Sequence, residues 1–288
     1  MLCLSWTALS IAANPVVQVA FASSEIQQKN LIDIGGRRLN LFCVGRGSPT
    51  VVFLQGAGGN ILNWRKVREP ISAITRACFY DRTGFGYSDP PGRAITAMNV
   101  TDDLHALLHA SRIPFPVVLA GHSLGGLYAT LYADQFKVDV AGLVLVDPSF
   151  ADQFEYAPST ADKRVVQAGY HRFKAHLLAC SALARDGKLS RENSHECFEI
   201  GPDHTADEIC YLVYQYTRSS YYDSYVAEYE GFFPRSDWTV IDGAEEKKFS
   251  RSFGDMPIEV LTAGIPPQRP AQIGGRQPEF RRTLETRP

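Results

Sequence analysis

Residues 117–126 read VVLAGHSLGG, an apolar run that leads directly into a glycine-rich turn. Helix-forming sequence follows, so the stretch has the order strand, Gly-x-Ser-x-Gly, helix. A turn in this context is a nucleophile elbow, in which glycines avoid clashes and a strained serine stands above the sheet. The N-terminus of the following helix favours negative charge beside that serine. We therefore expect Ser123 to be a nucleophile; the alternative is a buried serine in an ordinary glycine-rich turn.

Strand and helix patterns alternate on both sides of this turn. Gly35-Gly36 separates two short apolar runs and predicts a hairpin. Continuous apolar runs predict buried strands, with helical patterns between them. The strand runs are 31–34, 39–43, 51–54, 77–80, 117–120 and 142–146, and the helical patterns lie around 64–74, 100–108 and 128–132. This rhythm predicts an α/β fold, a mostly parallel sheet flanked by helices.

The alternation stops near residue 150 and resumes as a strand pattern at Ile258–Thr262. The intervening sequence is helical in pattern, and an insertion of that length is expected to form a lid. We expect the core to occupy 31–150, the helical lid 151–255, and an incomplete return to the core 256–288, with the last strand and helix missing.

Tyrosines recur through the predicted lid at spacings near three and four. They would either line an aromatic or acyl pocket or, as the simpler interpretation, pack the lid on the core with their hydroxyls in water. These residues are Tyr211, Tyr214, Tyr222, Tyr225 and Tyr229.

The N-terminal segment predicts export. Residues 1–22 carry no charged side chain and end in Ala20-Phe21-Ala22, which is typical of a signal-peptidase site. Pro15 and the lack of a basic start argue instead for a loosely packed arm. We expect a secreted or periplasmic protein, with a cytoplasmic one as the alternative.

The cysteines also favour export. Of the six cysteines, Cys3 lies in the N-terminal segment, two lie on strands expected to be neighbours, and the rest lie in the predicted lid. In an oxidising compartment Cys43–Cys78 and one pair among Cys180, Cys197 and Cys210 could form disulfides, with one thiol left over. In the cytosol they would be small buried side chains.

Charge and composition restrict the partners. The formal net charge of −2 gives no electrostatic case for nucleic acid or an anionic membrane, and no apolar run is long enough to span a bilayer. We expect a small-molecule partner, no cofactor and no metal site. His105 and His109, one helical turn apart, fit a solvated helix face better than a metal site.

These segments together resemble the α/β-hydrolase superfamily over roughly Leu31 to Gly264, in particular its lidded esterase, lipase and aminopeptidase-like members. Besides the elbow, the resemblance rests on FLQGAGG at 53–59, YDRTGFGYS at 80–88 and VDPS at 146–149. It implies hydrolysis of carboxylic esters through an acyl-Ser123 intermediate, with the backbone amides of Ala57 and Leu124 as the oxyanion hole. Dehalogenases and epoxide hydrolases of this fold need aspartate at the elbow, so Ser123 argues against those reactions.

The motif at 80–88 is expected to be structural. Gly84 and Gly86 permit a tight loop beside the site, Ser88 supports it, and a pair of Asp81 with Arg82 is expected to anchor it. Gln55 stands where many members of the superfamily have histidine.

The resemblance also implies an acid and then a histidine after the nucleophile in chain order. No histidine follows His204, so the expected base is absent and we interpret the chain as a truncated hydrolase. Asp147 is the better-placed acid, although Asp-Pro there also fits a strand-end turn, and Glu279 is the second candidate.

The other histidines are weaker candidates for the base. His122 is expected to point away from Ser123, and the lid histidines are expected to be exposed, with His171 and His176 the ones considered as substitutes. The remaining lid histidines are His195 and His204.

Two classes of function remain open. The intact elbow favours a serine hydrolase, an esterase or alternatively a peptidase. The absent histidine favours, for this polypeptide, a non-catalytic protein of the same fold that binds a ligand under its lid.

Overall fold

A seven-stranded sheet in the order β1-β2-β4-β3-β5-β6-β7 forms the centre of the molecule. The computed structural model describes residues 30–151, 153–154, 159–235, 239–249 and 252–262. The strands are β1 (Leu31–Asp33), β2 (Arg38–Val44), β3 (Val51–Leu54), β4 (Ala77–Tyr80), β5 (Val117–His122), β6 (Val140–Val146) and β7 (Ile258–Leu261). The β1–β2 and β2–β4 pairs are antiparallel and the remaining pairs parallel, which confirms the predicted mostly parallel sheet. The predicted signal segment 1–22 and Glu279 lie outside the described residues.

Within the residues that the structure describes, three α-helices connect the strands of the first half and four more lie between β6 and β7. The first three are α1 (Arg65–Ser72), α2 (Ala97–Ala110) and α3 (Leu124–Gln135), and the later four are α4 (Thr160–Arg185), α5 (Ala206–Tyr216), α6 (Ser219–Phe232) and α7 (Ile241–Glu246). We call residues 159–249 the helical insertion. Of the helices described, none combines the length and apolar character needed to cross a membrane.

Helix α1 follows a short 3₁₀ turn and lies within the helical pattern that the sequence predicts around 64–74. Residues Ile61–Trp64 form a 3₁₀ turn, because Asn60 and Asn63 make a reciprocal capping box at its start. The α-helix then runs from Arg65 to Ser72.

The largest core cluster lies where α2 and α3 pack beside the sheet. Leu104, Leu107 and Leu108 of α2 recur at the three- and four-residue spacing that forms one helix face, and all are buried. Leu127 and Leu131 of α3 belong to the same cluster. These apolar faces therefore fix the two helices that flank the elbow strand.

Strand register brings two cysteines together. Cys43 of β2 lies opposite Cys78 of β4, as expected of neighbouring strands, and the two form a disulfide, one of the two states that the sequence left open. A second disulfide joins Cys180 to Cys197. The expected left-over thiol is wrong, because the part of the chain described contains no free cysteine.

Asp242 of α7 is an acid enclosed between the insertion and α2. Its side chain is fully buried; Oδ1 accepts the N–H of Ala97 at 2.9 Å, and Oδ2 has no hydrogen-bond partner within the described ranges. Burial raises the pKa of Asp242 to about 8; the Ala97 N–H opposes this, and the charges of Glu245 and Glu228 add to it. Asp242 therefore holds a proton at neutral pH.

This proton makes stability depend on pH. In the unfolded chain an aspartate has a pKa of about 3.9, so the folded state binds the extra proton between about pH 4 and pH 8. The extra proton on Asp242 therefore stabilises the folded state fully below this pH window, and the stabilisation is lost as pH rises through the window. We expect Asp242→Asn, which keeps the acceptor for the Ala97 N–H, to remove this dependence. The fall of the unfolding free energy with pH between pH 5 and 7 should become shallower by about 1.4 kcal/mol per pH unit.

Urea unfolding of both proteins at several pH values measures this difference. Asp255→Asn, a change at an exposed aspartate, is the control and should keep the wild-type slope. Equal slopes for the wild type and Asp242→Asn would contradict the assignment.

Candidate active site

Ser123 occupies a strained backbone conformation between β5 and α3. Its φ of 51° and ψ of −123° lie in a region that side chains other than glycine rarely adopt. Three hydrogen bonds hold it there: its N–H donates to the Val146 carbonyl at 3.1 Å, and its carbonyl accepts the N–H groups of Gly126 at 2.8 Å and Ser149 at 2.9 Å. The surrounding backbone therefore imposes the conformation on the serine.

The elbow glycines are required because backbone approaches backbone there. A Cβ on Gly121 would lie 2.4 Å from the Gly125 carbonyl oxygen, and one on Gly125 would lie 2.2 Å from the Leu54 oxygen. A Cβ on Gly126 would lie 2.5 Å from Cβ of Pro148. The glycine pattern in the sequence thus follows from the close packing of α3 against the ends of the strands.

Two backbone segments meet beside the Ser123 side chain. Leu124 is the first residue of α3, where the N–H groups of a helix have no partner within it. The loop carrying Ala57 follows β3, whose last residue, Leu54, pairs with Gly121. A Cβ on Gly56 in this loop would lie 3.3 Å from Cβ of Ser123. The structure therefore brings the serine together with the two segments expected to supply oxyanion donors.

A buried ion pair holds the Ala57 loop in place. Arg82 donates from Nη1 to the Gln55 carbonyl at 2.7 Å, from Nη2 to the Gly56 carbonyl at 2.8 Å, and from Nε to Glu228 at 2.7 Å. Glu228 of α6 also accepts the N–H of Gly58 at 2.7 Å. The side chains of Arg82 and Glu228 are 1% and 0% exposed. The Glu228 carboxylate thus links the helical insertion to the candidate site.

The expected pair of Asp81 with Arg82 is wrong. Asp81 instead accepts bonds from the Tyr211 hydroxyl at 2.5 Å, Asn40 Nδ2 at 2.8 Å and the Tyr87 N–H at 3.1 Å. Successive side chains at the end of a strand point to opposite faces, which sends the two residues to different partners. Burial raises the pKa of Asp81, and the Tyr211 and Asn40 hydrogen bonds oppose the shift.

The loop after Asp81 has the structural role that the sequence predicts. Gly84 and Gly86 both have positive φ, 83° and 49°. A Cβ on Gly86 would lie 2.1 Å from Asp81 Oδ2, and the Ser88 hydroxyl donates to the Asp81 carbonyl at 2.6 Å.

The tyrosines of the insertion divide into two groups. Tyr211 and Tyr222 are fully buried, and the Tyr211 hydroxyl binds Asp81, so the expectation of a hydrated hydroxyl is wrong for Tyr211. Tyr225 instead faces a cavity of about 360 Å³ between the insertion and the Ala57 loop. The cavity lining includes Ala57, Gly58, Asn60, Asn63, Arg65, His204, Tyr216, Tyr221 and Tyr225.

His204 departs from the exposure expected of the insertion's histidines. It is half-buried at the cavity, with Nδ1 at 3.1 Å from the Gly201 carbonyl oxygen. His171, His176 and His195 are exposed, as expected.

Asp147 lies beyond the end of β6 and beside the elbow strand. It is exposed, has a φ of 45°, and donates its N–H to the Leu261 carbonyl at 2.6 Å. Partial burial lowers the pKa of His122 by desolvation, and the charge of Asp147 opposes the shift. The His122 ring lies edge-on to Trp64, with centroids 6.4 Å apart. In the ranges described, no histidine is hydrogen-bonded to the Ser123 hydroxyl.

We expect the Arg82–Glu228 pair to dominate the stability of this region. Glu228→Gln leaves the buried guanidinium without its counter-charge and should lower the unfolding free energy by about 3 kcal/mol or more. Glu230→Gln is the control: this residue of the same helix pairs with Lys174 near the surface and should cost less than about 1 kcal/mol. Urea unfolding followed by circular dichroism measures both, and equal losses would contradict the buried-pair argument.

The comparisons with known proteins agree with this architecture. A family model for the alpha/beta hydrolase fold matches residues 49–245. An uncharacterised Bacillus subtilis protein, YqjL, is 31% identical over 121 residues, 41% of this chain and 48% of that protein. The (lyso)-N-acylphosphatidylethanolamine lipase of Mus musculus is 33% identical over 102 residues, 34% of this chain and 30% of the lipase.

A solved structure extends the likeness over most of the chain. A mutant epoxide hydrolase of Vigna radiata superimposes with a TM-score of 0.57 at 16% identity, over 82% of this chain and 80% of that one. At that identity the likeness shows the fold alone. The chain spans about half or less of the length of the two curated relatives. With the family model matching more than half of its residues, this chain belongs to the α/β-hydrolase fold family.

Proposed function

We propose that the protein is a serine hydrolase that cleaves carboxylic esters of small molecules through an acyl-Ser123 intermediate. The observation that carries the proposal is the strained φ and ψ of Ser123, which hold the side chain at the junction of β5 and α3. Backbone strain of about 1–3 kcal/mol persists where the surroundings impose it, and it clusters at active sites. A turn with only a packing role has no need of serine in this conformation.

The proposed chemistry follows from the groups around that side chain. Oγ of Ser123 attacks the ester carbonyl carbon, and the carbonyl oxygen takes up negative charge. The amides of Leu124 and Ala57 donate hydrogen bonds to that oxygen, and the N-terminus of α3 adds its dipole. As the tetrahedral intermediate collapses, the leaving oxygen takes up the proton given up by Ser123 Oγ and departs as the alcohol. An acyl ester remains on Ser123, which water then hydrolyses.

The substrate is proposed to bind beneath the helical insertion, which we assign as the lid of residues 151–255 between core segments 31–150 and 256–288. The cavity of about 360 Å³ includes Ala57 on one side and Tyr216, Tyr221 and Tyr225 on the other. Aromatic rings that present hydroxyls suit an apolar or aromatic group with a polar end. That one relative is named a lipase supports an ester as the substrate.

Asp147 is proposed as the acid because it follows the strand next to β5, at the same edge of the sheet as Ser123. A serine hydroxyl also needs a base to take its proton, and removal of a triad member costs up to about 10⁶-fold in rate. No described histidine is hydrogen-bonded to the hydroxyl, and this favours the second candidate, a non-catalytic protein that binds a ligand in the same cavity. A peptidase would share the nucleophile and the oxyanion donors.

Export to an oxidising compartment, secreted or periplasmic, is proposed on the two disulfides Cys43–Cys78 and Cys180–Cys197. Alkylation of the protein in extracts of its native host, with the labelled cysteines identified by mass spectrometry, tests this assignment. Full reactivity of these four cysteines would argue against it.

We expect Ser123→Ala to reduce turnover of p-nitrophenyl butyrate by at least about 10³-fold, because it removes the nucleophile and leaves the fold intact. Ser72→Ala, which changes a surface serine at the end of α1, is the matched control and should retain wild-type turnover. Release of p-nitrophenolate measures the turnover of the wild type and both variants. Mass spectrometry of a stopped reaction detects the acyl adduct on Ser123.

The outcomes separate the candidates. Equal turnover by the wild type and Ser123→Ala would show that Ser123 is not the nucleophile. If all three proteins are inert but bind the uncleaved ester, the ligand-binding function replaces the hydrolase for this polypeptide.

A further inference from the structure

Two histidines and an aspartate meet at the edge of the sheet opposite Ser123. His105 and His109 lie one turn apart on α2, and Asp139 ends the 3₁₀ turn Lys137–Asp139 just before β6. Asp139 therefore precedes a parallel strand, whereas Ser123 follows one. The six residues of β5 separate the two edges by about 20 Å. This cluster is distinct from the candidate active site.

The three donor groups converge closely. His105 Nδ1 is 3.3 Å from Asp139 Oδ2, and His109 Nε2 is 3.9 Å from the same oxygen. One ligand atom from each residue lies within 4.8 Å of both others. Tetrahedral zinc with bonds of about 2.0–2.1 Å places its ligand atoms about 3.3–3.4 Å apart. Small rotations of the three side chains would bring their ligand atoms to the separations that a bound zinc ion requires.

Packing already orients both rings. His105 stacks on Phe136, with centroids 3.9 Å apart and an interplanar angle of 8°. The His109 ring packs on Phe115 with centroids 4.8 Å apart. The Tyr132 hydroxyl is 3.2 Å from His105 Nδ1 and also hydrogen-bonds to Asp139. When a metal takes the place of the Tyr132 hydroxyl at His105 Nδ1, that hydroxyl can still hydrogen-bond to the Asp139 carboxylate and orient it.

The donor set indicates which metal the cluster would take. Two imidazoles and a carboxylate suit zinc, whereas calcium and magnesium prefer oxygen ligands alone.

We propose that His105, His109 and Asp139 bind Zn²⁺, with water as the fourth ligand. A surface groove of about 560 Å³ borders all three residues and gives that water access. The ion would tie α2 to the turn that leads into β6, which makes the site structural. The sequence interpretation of a solvated helix face omits Asp139, because only the fold brings that residue to the two histidines.

The test uses the full chain purified without a polyhistidine tag and freed of metal with a chelator. Calorimetric titration with ZnCl₂ should show one ion per chain, and the same addition should raise the melting temperature by several degrees. Co²⁺ at the site should give the visible absorption of a tetrahedral complex. CaCl₂ should leave the melting temperature unchanged.

Variants locate the ion. His109→Ala and Asp139→Asn should each weaken Zn²⁺ binding at least tenfold, whereas His171→Ala, a change at an exposed histidine of α4, should leave it unchanged. His109 is itself exposed, so its variant should melt like the wild type without metal. Zn²⁺ affinity that is equal in the wild type and His109→Ala, or the absence of Zn²⁺ uptake, would overturn the proposal. A rise in melting temperature on addition of CaCl₂ that is lost in Asp139→Asn would also overturn the proposal.

Discussion

The buried guanidinium of Arg82 is the constraint on which the site depends. A charge that is 1% exposed must be compensated within the protein, because its transfer from water is otherwise too costly. Glu228 supplies the opposite charge, and the Gln55 and Gly56 carbonyls accept one further hydrogen bond each. The rings of Phe85 and Tyr128 lie 5.3 Å and 5.5 Å from the guanidinium carbon. One side chain therefore ties the sheet, the loop after β3 and the helical insertion together.

This arrangement couples the insertion to the groups nearest the proposed nucleophile. Glu228 belongs to α6, yet its second oxygen accepts the N–H of Gly58, next to Ala57. The direction of the Ala57 amide, a proposed oxyanion donor, thus depends on how α6 packs against this loop. The elbow imposes a second, independent constraint, because the carbonyl oxygens of Leu54 and Gly125 leave no room for a side chain at Gly125 and Gly121. Both constraints act where the ends of β3 and β5 meet the start of α3, and together they fix the irregular backbone there.

Local sequence patterns predicted the parts of the fold that depend on near neighbours. The apolar runs became β3, β4, β5 and β6, and the hairpin at Gly35-Gly36 formed with both glycines at positive φ. The pair of Cys43 with Cys78 followed from strand adjacency. Predictions about partners of charged and polar side chains were less successful. Arg82 does not pair with Asp81, Tyr211 does not expose its hydroxyl, and His204 is half-buried.

The sequence by itself determined the α/β class, the elbow and the position of Ser123, because strand periodicity and glycine sterics act over a few residues. Tertiary structure alone decided that Glu228, 146 residues from Arg82, neutralises it. It also decided that Asp139 joins His105 and His109. Such contacts have no local signature, since they arise only when the packing of apolar faces brings distant segments to one place. Once there, the cost of burying a charge or a polar atom selects the partner.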